Sequence, residues 1–185
     1  MLHHTLKQVP SLFPGIKLCP LTERDVTEWL VPLMSHNASH LVHLDSPNDR
    51  YGDVEDLCTA VALARRSYPI RYRISVNGRP AGIVKIGRLC TNNYELGYWI
   101  DRAKCGEGIA PKATATLALH VVTHAPAAQL IICIKKRNQP SHRAARKTLA
   151  LLQERSENGS LTCDIAPHQS NEGYMIYRLR YHRGV

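Results

Sequence analysis

Residues Tyr94 to Lys112, YELGYWIDRAKCGEGIAPK, constrain the chain more than any other stretch. An apolar, β-prone run (Tyr94, Leu96, Tyr98, Trp99, Ile100) leads through a short charged loop into Gly106-Glu107-Gly108, and a helical pattern begins at Ile109. The order is strand, glycine loop, helix. Such a loop turns consecutive backbone N–H groups toward one point, and the unpaired N–H groups of the following helix add the positive end of its dipole. An anion can sit there, with phosphate or pyrophosphate the natural guest. Glycine serves because a side chain would hold the backbone back and resist the dihedrals of the turn. Pro111 is tolerated only in the first helical turn, where N–H partners are missing anyway, and so sets the helix start close to Gly108. Gly-x-Gly also occurs in plain turns, so the rest of the chain has to decide between the two readings.

Charge favours an anionic guest. The chain carries +9 over 185 residues, with a pI near 9.5, which implies attraction to a phosphorylated cofactor, RNA or an acidic protein. Clusters at Lys135-Lys136-Arg137, Arg143 to Lys147 and Arg178 to Arg183 read equally well as a solvated basic surface. With 44% apolar and 21% charged residues the composition is that of a globular protein of about one domain. No apolar run approaches the roughly 18 residues that span a bilayer, and MLHHTLKQVPSLF lacks the apolar core of a secretory signal. A cytoplasmic protein without a membrane partner is the expectation. Six cysteines, scattered without a C-x-x-C pair, fit neither a zinc ribbon nor a disulfide scaffold, so reduced thiols are expected.

Along the chain, Pro10, Pro14 and the lack of periodicity make residues 1–14 an N-terminal arm rather than core, with 15–185 as a single domain. Ile16 to Cys19 reads as a first strand. A helix starts at Thr22, which can cap it; Asp25 suits its first turn, Val26, Trp29 and Leu30 share a face, and Pro32 limits or bends it. His36, His40 and His43 would stack on one face of a following helix; no nearby cysteine completes a metal set, so an acceptor-facing or solvent-facing cluster is expected and no metal. Asp53 to about Arg66 reads as a second helix. From Ile70 apolar residues alternate (Ile70, Tyr72, Ile74, Val76), and Asn77-Gly78 turns the chain into Ala81 to Ile86. A turn near Asn92-Asn93 leads to Tyr94 to Ile100, completing an antiparallel meander. Leu130 to Ile134 is a continuous apolar run, expected to be a strand buried on both faces and parallel to Tyr94–Ile100 through a crossover helix. A helix from Pro140 to about Glu154 and an antiparallel closing pair, Ser160 to Ile165 and Tyr174 to Arg180, complete the chain.

At this point the sequence resembles the GNAT superfamily of acyl-CoA N-acyltransferases, in its RimJ/RimL-type branch of ribosomal-protein N-terminal acetyltransferases. The family's Gln/Arg-x-x-Gly-x-Gly/Ala signature has its counterpart in Cys105-Gly106-Glu107-Gly108-Ile109-Ala110, preceded by Gly97-Tyr98-Trp99-Ile100-Asp101, which matches the G-Y-W-[IL]-D lead-in. Asn138-Gln139-Pro140-Ser141-His142-Arg143-Ala144-Ala145 matches the Asn-x-x-Ser-x-x-x-Ala block that follows the next strand. The strong match covers residues 94–149. It implies acetyl transfer from acetyl-CoA to a primary amine. Backbone groups of Trp99, Ile100 and Asp101 would pair with pantetheine, and amides of Cys105, Gly106, Glu107, Gly108, Ile109 and Ala110 would hold the pyrophosphate, with Lys104 and Asn138 beside them.

Two departures stand out. Cys105 occupies the position where Gln or Arg is usual; either Lys104 or Arg102 compensates for the lost group or CoA binds weakly. Beside Lys104 and a helix N-terminus its thiol could have a lowered pKa, against the plainer reading of a tolerated substitution. The Gly-Phe that often ends the second block is Leu149-Ala150 here.

Amine attack on a thioester needs a neutral nucleophile and a proton for the departing thiolate. In close relatives the serine of the second block supplies that proton, which points to Ser141; alternatively Ser141 caps its helix. Glu95 on the central strand and Asp164 on the closing pair are rival bases, and either could instead pair with an arginine. The expected fold is α/β (α+β): a mixed, mostly antiparallel sheet of six to seven strands flanked by about four helices, with a splayed parallel pair. The expected function is acetyl-CoA-dependent transfer to a protein N-terminal α-amine of ribosomal or other acidic type. Alternatives are a small amine such as an antibiotic or aminoacyl nucleotide, and a non-catalytic acyl-CoA-binding or RNA-binding module. A monomer or homodimer would serve any of these.

Overall fold

Seven strands form one mixed sheet in the computed structural model, which describes residues 6, 9–37, 58, 69–155, 159–167 and 173–183. In chain order they are β1 (Ile16–Pro20), β2 (Ile70–Val76), β3 (Arg79–Cys90), β4 (Asn93–Ile100), β5 (Gln129–Lys135), β6 (Gly159–Pro167) and β7 (Tyr174–Arg183). Across the sheet the order is β1-β2-β3-β4-β5-β7-β6, and β4 with β5 is the parallel pair. This is the mixed, mostly antiparallel sheet expected from the alternating pattern and the crossover. Asn77 and Gly78 both adopt left-handed φ, 49° and 81°, which matches the right-handed twist of the hairpin they join.

The first helix follows its sequence signals at the start and departs from them at Pro32. It begins as α1 (Glu23–Asp25), widens into a π turn over Val26–Leu30 and continues as α2 (Val31–His36). Thr22 and Asp25 form a reciprocal capping box: the Asp25 N–H donates to Thr22 Oγ1 at 3.1 Å and the Thr22 N–H donates to Asp25 Oδ2 at 2.9 Å. Pro32 cannot donate to the helix ladder. The wider turn ahead of it, in which the Val31 N–H reaches Val26 O, carries the helix onward to His36. Asp25 also accepts from Trp29 Nε1 at 3.2 Å and pairs with Arg73 of β2, pinning the helix to the sheet.

The sheet is covered on two sides. The larger apolar cluster gathers Tyr72, Ile74, Val84, Ile86, Leu96 and Leu130 with side chains of α3 (Ile109–His124) and α4 (Gln139–Arg155), and full burial of one such aliphatic side chain is worth about 2 kcal/mol. The smaller one packs Leu21, Val26, Leu30 and Ile83 against Trp29, Met34 and Trp99.

Two expectations need correction. Residues 1–14 are not excluded from the core: Leu6, Val9 and Phe13 are buried in the larger cluster, Val9 bridges to Leu18, and Tyr72 donates to the Leu6 carbonyl. Prolines set the bends of this segment without keeping its apolar side chains out. Nor is β5 buried on both faces, because Leu130, Ile132 and Ile134 are buried while Ile131 and Cys133 are half-exposed. Its run of apolar residues hid an alternation. The helix expected over Asp53 to Arg66 lies outside the described residues except for Cys58, and so do His40 and His43; His36 ends α2.

Candidate active site

The parallel pair is short. β4 and β5 are in register only at Asn93 with Gln129, Tyr94 with Leu130 and Glu95 with Ile131. Beyond Glu95, β4 stays on β3 as far as Ile100 opposite Gly82, while β5 stays on β7 as far as Lys135 opposite Tyr174. The strands therefore diverge, and Leu96 to Ile100 present a backbone edge that β5 does not pair. Such an edge retains donors and acceptors for an extended guest. Gly82 helps set the divergence. With φ +155° it lies so close to β4 that a Cβ would sit 2.2 Å from the Trp99 carbonyl oxygen, and two residues on, Asp101 donates its N–H to Ala81 O at 2.9 Å. The end of β4 is drawn to β3 and away from β5.

The chain then enters the glycine loop under tight control. Asp101 Oδ1 accepts from the Ala103 N–H at 3.2 Å, capping a single 3₁₀ turn over Arg102–Lys104. Asn37, buried at the end of α2, accepts the Arg102 N–H at 2.8 Å and donates to Asp101 Oδ1 at 3.2 Å and to Leu33 O at 2.8 Å. Gly106 and Gly108 follow with φ of 91° and 73°. Gly108 is the N-cap of α3 and supplies no side-chain bond, and Pro111 has no N–H, so the first free amides of the helix belong to Ile109 and Ala110. A Cβ on Gly106 would meet nothing within 4 Å, so the loop opens onto space. This loop and the unpaired edge of β4 together form a cleft with the chemistry to hold a long molecule ending in a pyrophosphate.

Cys105 and Glu107 are exposed in this loop, Lys104 and Ala110 are half-buried, and Ile109 is buried in the core. Trp99 packs in the smaller apolar cluster and Ile100 in the larger, which leaves their backbones as the groups that face the opening. The alternative of an activated Cys105 thiol finds no support, which leaves the plainer reading of a tolerated substitution. Burial pushes its thiol above the ordinary value, the Asp101 carboxylate adds to that, and Arg102 only partly opposes it.

The second block forms the opposite wall. Asn138 Oδ1 accepts the Ser141 N–H at 3.2 Å, so Asn138 is the residue that caps α4 and Ser141 is not. Tyr98 reaches across from β4 and donates its hydroxyl to the Ser141 carbonyl at 3.0 Å; burial, more than any neighbour, raises its pKa. His142 is buried, with Nε2 3.1 Å from the Lys135 carbonyl and Nδ1 2.8 Å from the Tyr177 hydroxyl. A carbonyl can only accept, so Nε2 carries the proton, and the ring ties α4 to β5 and β7.

The two candidate carboxylates share one cross-strand row. In register it runs Gly87, Glu95, Ile131, Arg178, Asp164. Glu95 is half-buried at the last paired position before the strands part. Its charge is felt by Cys133, whose thiol is pushed up to about 11 by burial first and by Glu95 second. Lys85 lies across Gly97 on the neighbouring strand, its Cε 2.5 Å from where a Cβ would be. Asn37, Tyr98, His142 and Lys147, whose Nζ comes within 3.6 Å of the Cβ position at Gly108, are site residues that sequence reasoning did not single out. Among the described residues no group of three or more His, Cys, Asp or Glu could hold a metal ion, and no helix is long and apolar enough to cross a membrane.

Comparison with known proteins agrees with this fold. The family described as the acetyltransferase (GNAT) domain matches residues 16–148. No curated protein sequence matches. Among solved structures, RimL, a ribosomal L7/L12 α-N-protein acetyltransferase in complex with CoA as a CoA–cysteine disulfide, is 21% identical with a TM-score of 0.69, covering 96% of this chain and 97% of its own. RimJ of Mycobacterium smegmatis, in complex with CoA-disulfide, is 19% identical with a TM-score of 0.63 over 90% of this chain and 81% of its own. AAC(6')-Ib in complex with paromomycin and acetyl-CoA is 15% identical with a TM-score of 0.63 over 90% and 93%. At these identities the likeness establishes the fold.

Proposed function

The chain belongs to the acetyltransferase (GNAT) family, and from that premise we propose that it acetylates the α-amino group of a protein N-terminus. It is an acetyl-CoA-dependent N-acetyltransferase, the acyl group being supplied by acetyl-CoA as a thioester. The observation that carries the residue assignment is the opening between β4 and β5, closed at one end by the left-handed glycine loop. In this reading the amides of Cys105 to Ala110 hold the pyrophosphate, and the edge at Trp99 to Asp101 pairs with the pantetheine arm. Ser141 gives a proton to the departing thiolate.

Glu95 takes the proton from the attacking amine, directly or through water, because it stands where the strands part. Asp164 is three strands away from Glu95 in register, ~14 Å at the usual strand spacing, too far to share the same proton. The RimL neighbour, an α-N-protein acetyltransferase, supports a protein N-terminus as acceptor. The AAC(6')-Ib neighbour, bound to paromomycin, favours a second reading in which the acceptor is a small polar amine.

Acetyl-CoA turnover followed by free-thiol release, with peptides of varied N-terminal residue and a panel of small amines offered in parallel, separates the two. Higher kcat/KM for a peptide supports the first reading. Turnover of small amines alone would overturn it.

A further inference from the structure

Lys147 lies on the exposed side of α4, yet its ammonium reaches the neighbouring helix. Its Nζ is 3.6 Å from the position a Cβ on Gly108 would take, at the very start of α3. That end of the helix already carries partial positive charge, so ammonium and helix repel unless an anion lies between them. Among the described residues Lys147 forms no ion pair with a carboxylate. The space beside the loop is open at Gly106.

The loop itself brings no cation to its first position, where Cys105 holds a thiol pushed toward its neutral form. Arg102 and Lys104 precede the glycines in the 3₁₀ turn, whereas Lys147 arrives from α4 at the helix start. We propose that Lys147 completes the anion site of the glycine loop by pairing with the pyrophosphate of CoA. The inference rests on the reading that this loop holds that pyrophosphate. It adds a charged partner from a different element, separated from the loop in sequence by α3, β5 and about two turns of α4. An ammonium placed over free amides pairs with phosphate oxygens the amides do not use, so the two contributions reinforce each other.

Calorimetric titration of CoA and of dephospho-CoA into the wild type, Lys147→Met and Lys147→Arg tests it. Methionine keeps the aliphatic stem and removes the charge; it should weaken both ligands by about tenfold, while arginine stays within about threefold of the wild type. Lys147→Gln repeats the measurement if the methionine variant proves unstable. Unchanged affinity in Lys147→Met overturns the proposal. A loss for CoA that dephospho-CoA does not share also overturns it, because the ammonium would then serve the 3′-phosphate. A wild type that binds neither ligand would sink the reading of the loop itself, and the proposal with it.

Discussion

Asn37 holds Arg102. The side-chain oxygen of a residue ending the first helix accepts the backbone N–H of the residue that opens the 3₁₀ turn, at 2.8 Å, although 65 positions separate them in sequence. The helix that lies across one face of the sheet thereby fixes the path of the chain into the glycine loop. Asn37→Leu keeps the volume but takes the acceptor from the part-buried Arg102 amide and a donor from the Asp101 carboxylate. It should cost about 2 kcal/mol of stability and raise the KM for acetyl-CoA several-fold, roughly what the loss of two part-buried hydrogen bonds and a loosened loop entail. Urea unfolding and initial rates measure the two effects, and a loss of stability with an unaltered KM would separate the helix from the loop.

Gly82 acts at the same end of β4 as Asn37, from the β3 side. A Cβ there would stand 2.2 Å from the Trp99 carbonyl and 2.9 Å from the Ile100 Cα, both backbone atoms that cannot swing aside. Gly82→Ala is expected to lower stability by about 3 kcal/mol and to push the end of β4 toward β5. Thermal unfolding reports the first. Weaker binding of CoA to the folded variant reports the second.

Asp25 makes stability depend on acid. Burial pushes its carboxyl up, but hydrogen bonds from Thr22 and Trp29 and the charge of Arg73 outweigh it and leave the carboxyl below its ordinary value in the folded chain. A carboxyl depressed by folding contributes fully above its unfolded value and loses that contribution as pH falls through the folded one. Asp25→Asn should therefore be less stable at neutral pH by about 2 kcal/mol and show a shallower decline in urea midpoint between pH ~5 and ~2.5. Parallel curves for the two proteins would assign the acid sensitivity elsewhere.

Sequence carried the fold further than it carried the site. The meander was readable because Ile70, Tyr72 and Ile74 alternate and Asn77-Gly78 admits left-handed dihedrals, both local properties. The glycine loop was readable for the same reason, with Pro111 marking the helix start. Asn37 left no such trace, since its partner is chosen by the docking of a helix on a sheet. Lys147 sat in a basic cluster indistinguishable from a solvated surface, and only the packing of α4 beside α3 brings its ammonium to Gly108. Leu6, Val9 and Phe13 lacked a periodicity because they belong to an irregular segment, yet the edge of the sheet buries them. The capping role offered to Ser141 passed to Asn138, three residues earlier, a shift that helix-boundary signals rarely resolve.

Ser141→Ala tests the proton donor directly. Because Asn138 caps α4 and Tyr98 binds the Ser141 carbonyl rather than its hydroxyl, removing the hydroxyl disturbs neither contact. The variant should fold as the wild type does and bind CoA equally well, while kcat falls by about a hundredfold, the lower range for loss of a general acid. A rate within about twofold of the wild type would leave Ser141 with a structural role only.

Glu95 and Asp164 differ in where they stand, and the pH–rate profile reads that difference. Glu95 occupies the last position at which β4 and β5 are paired, so a carboxylate there borders the opening into which the amine must come. Asp164 is in register with Arg178, on the far side of β7 from β5. A base acts in its ionised form, so kcat/KM should fall on the acid side as the base takes up its proton. Glu95→Gln should lower kcat/KM by about a hundredfold and abolish that acid limb. Asp164→Asn should retain the limb and most of the rate. The reverse pattern would move the base to the closing strands, and the retention of the limb in both variants would exclude the two carboxylates together.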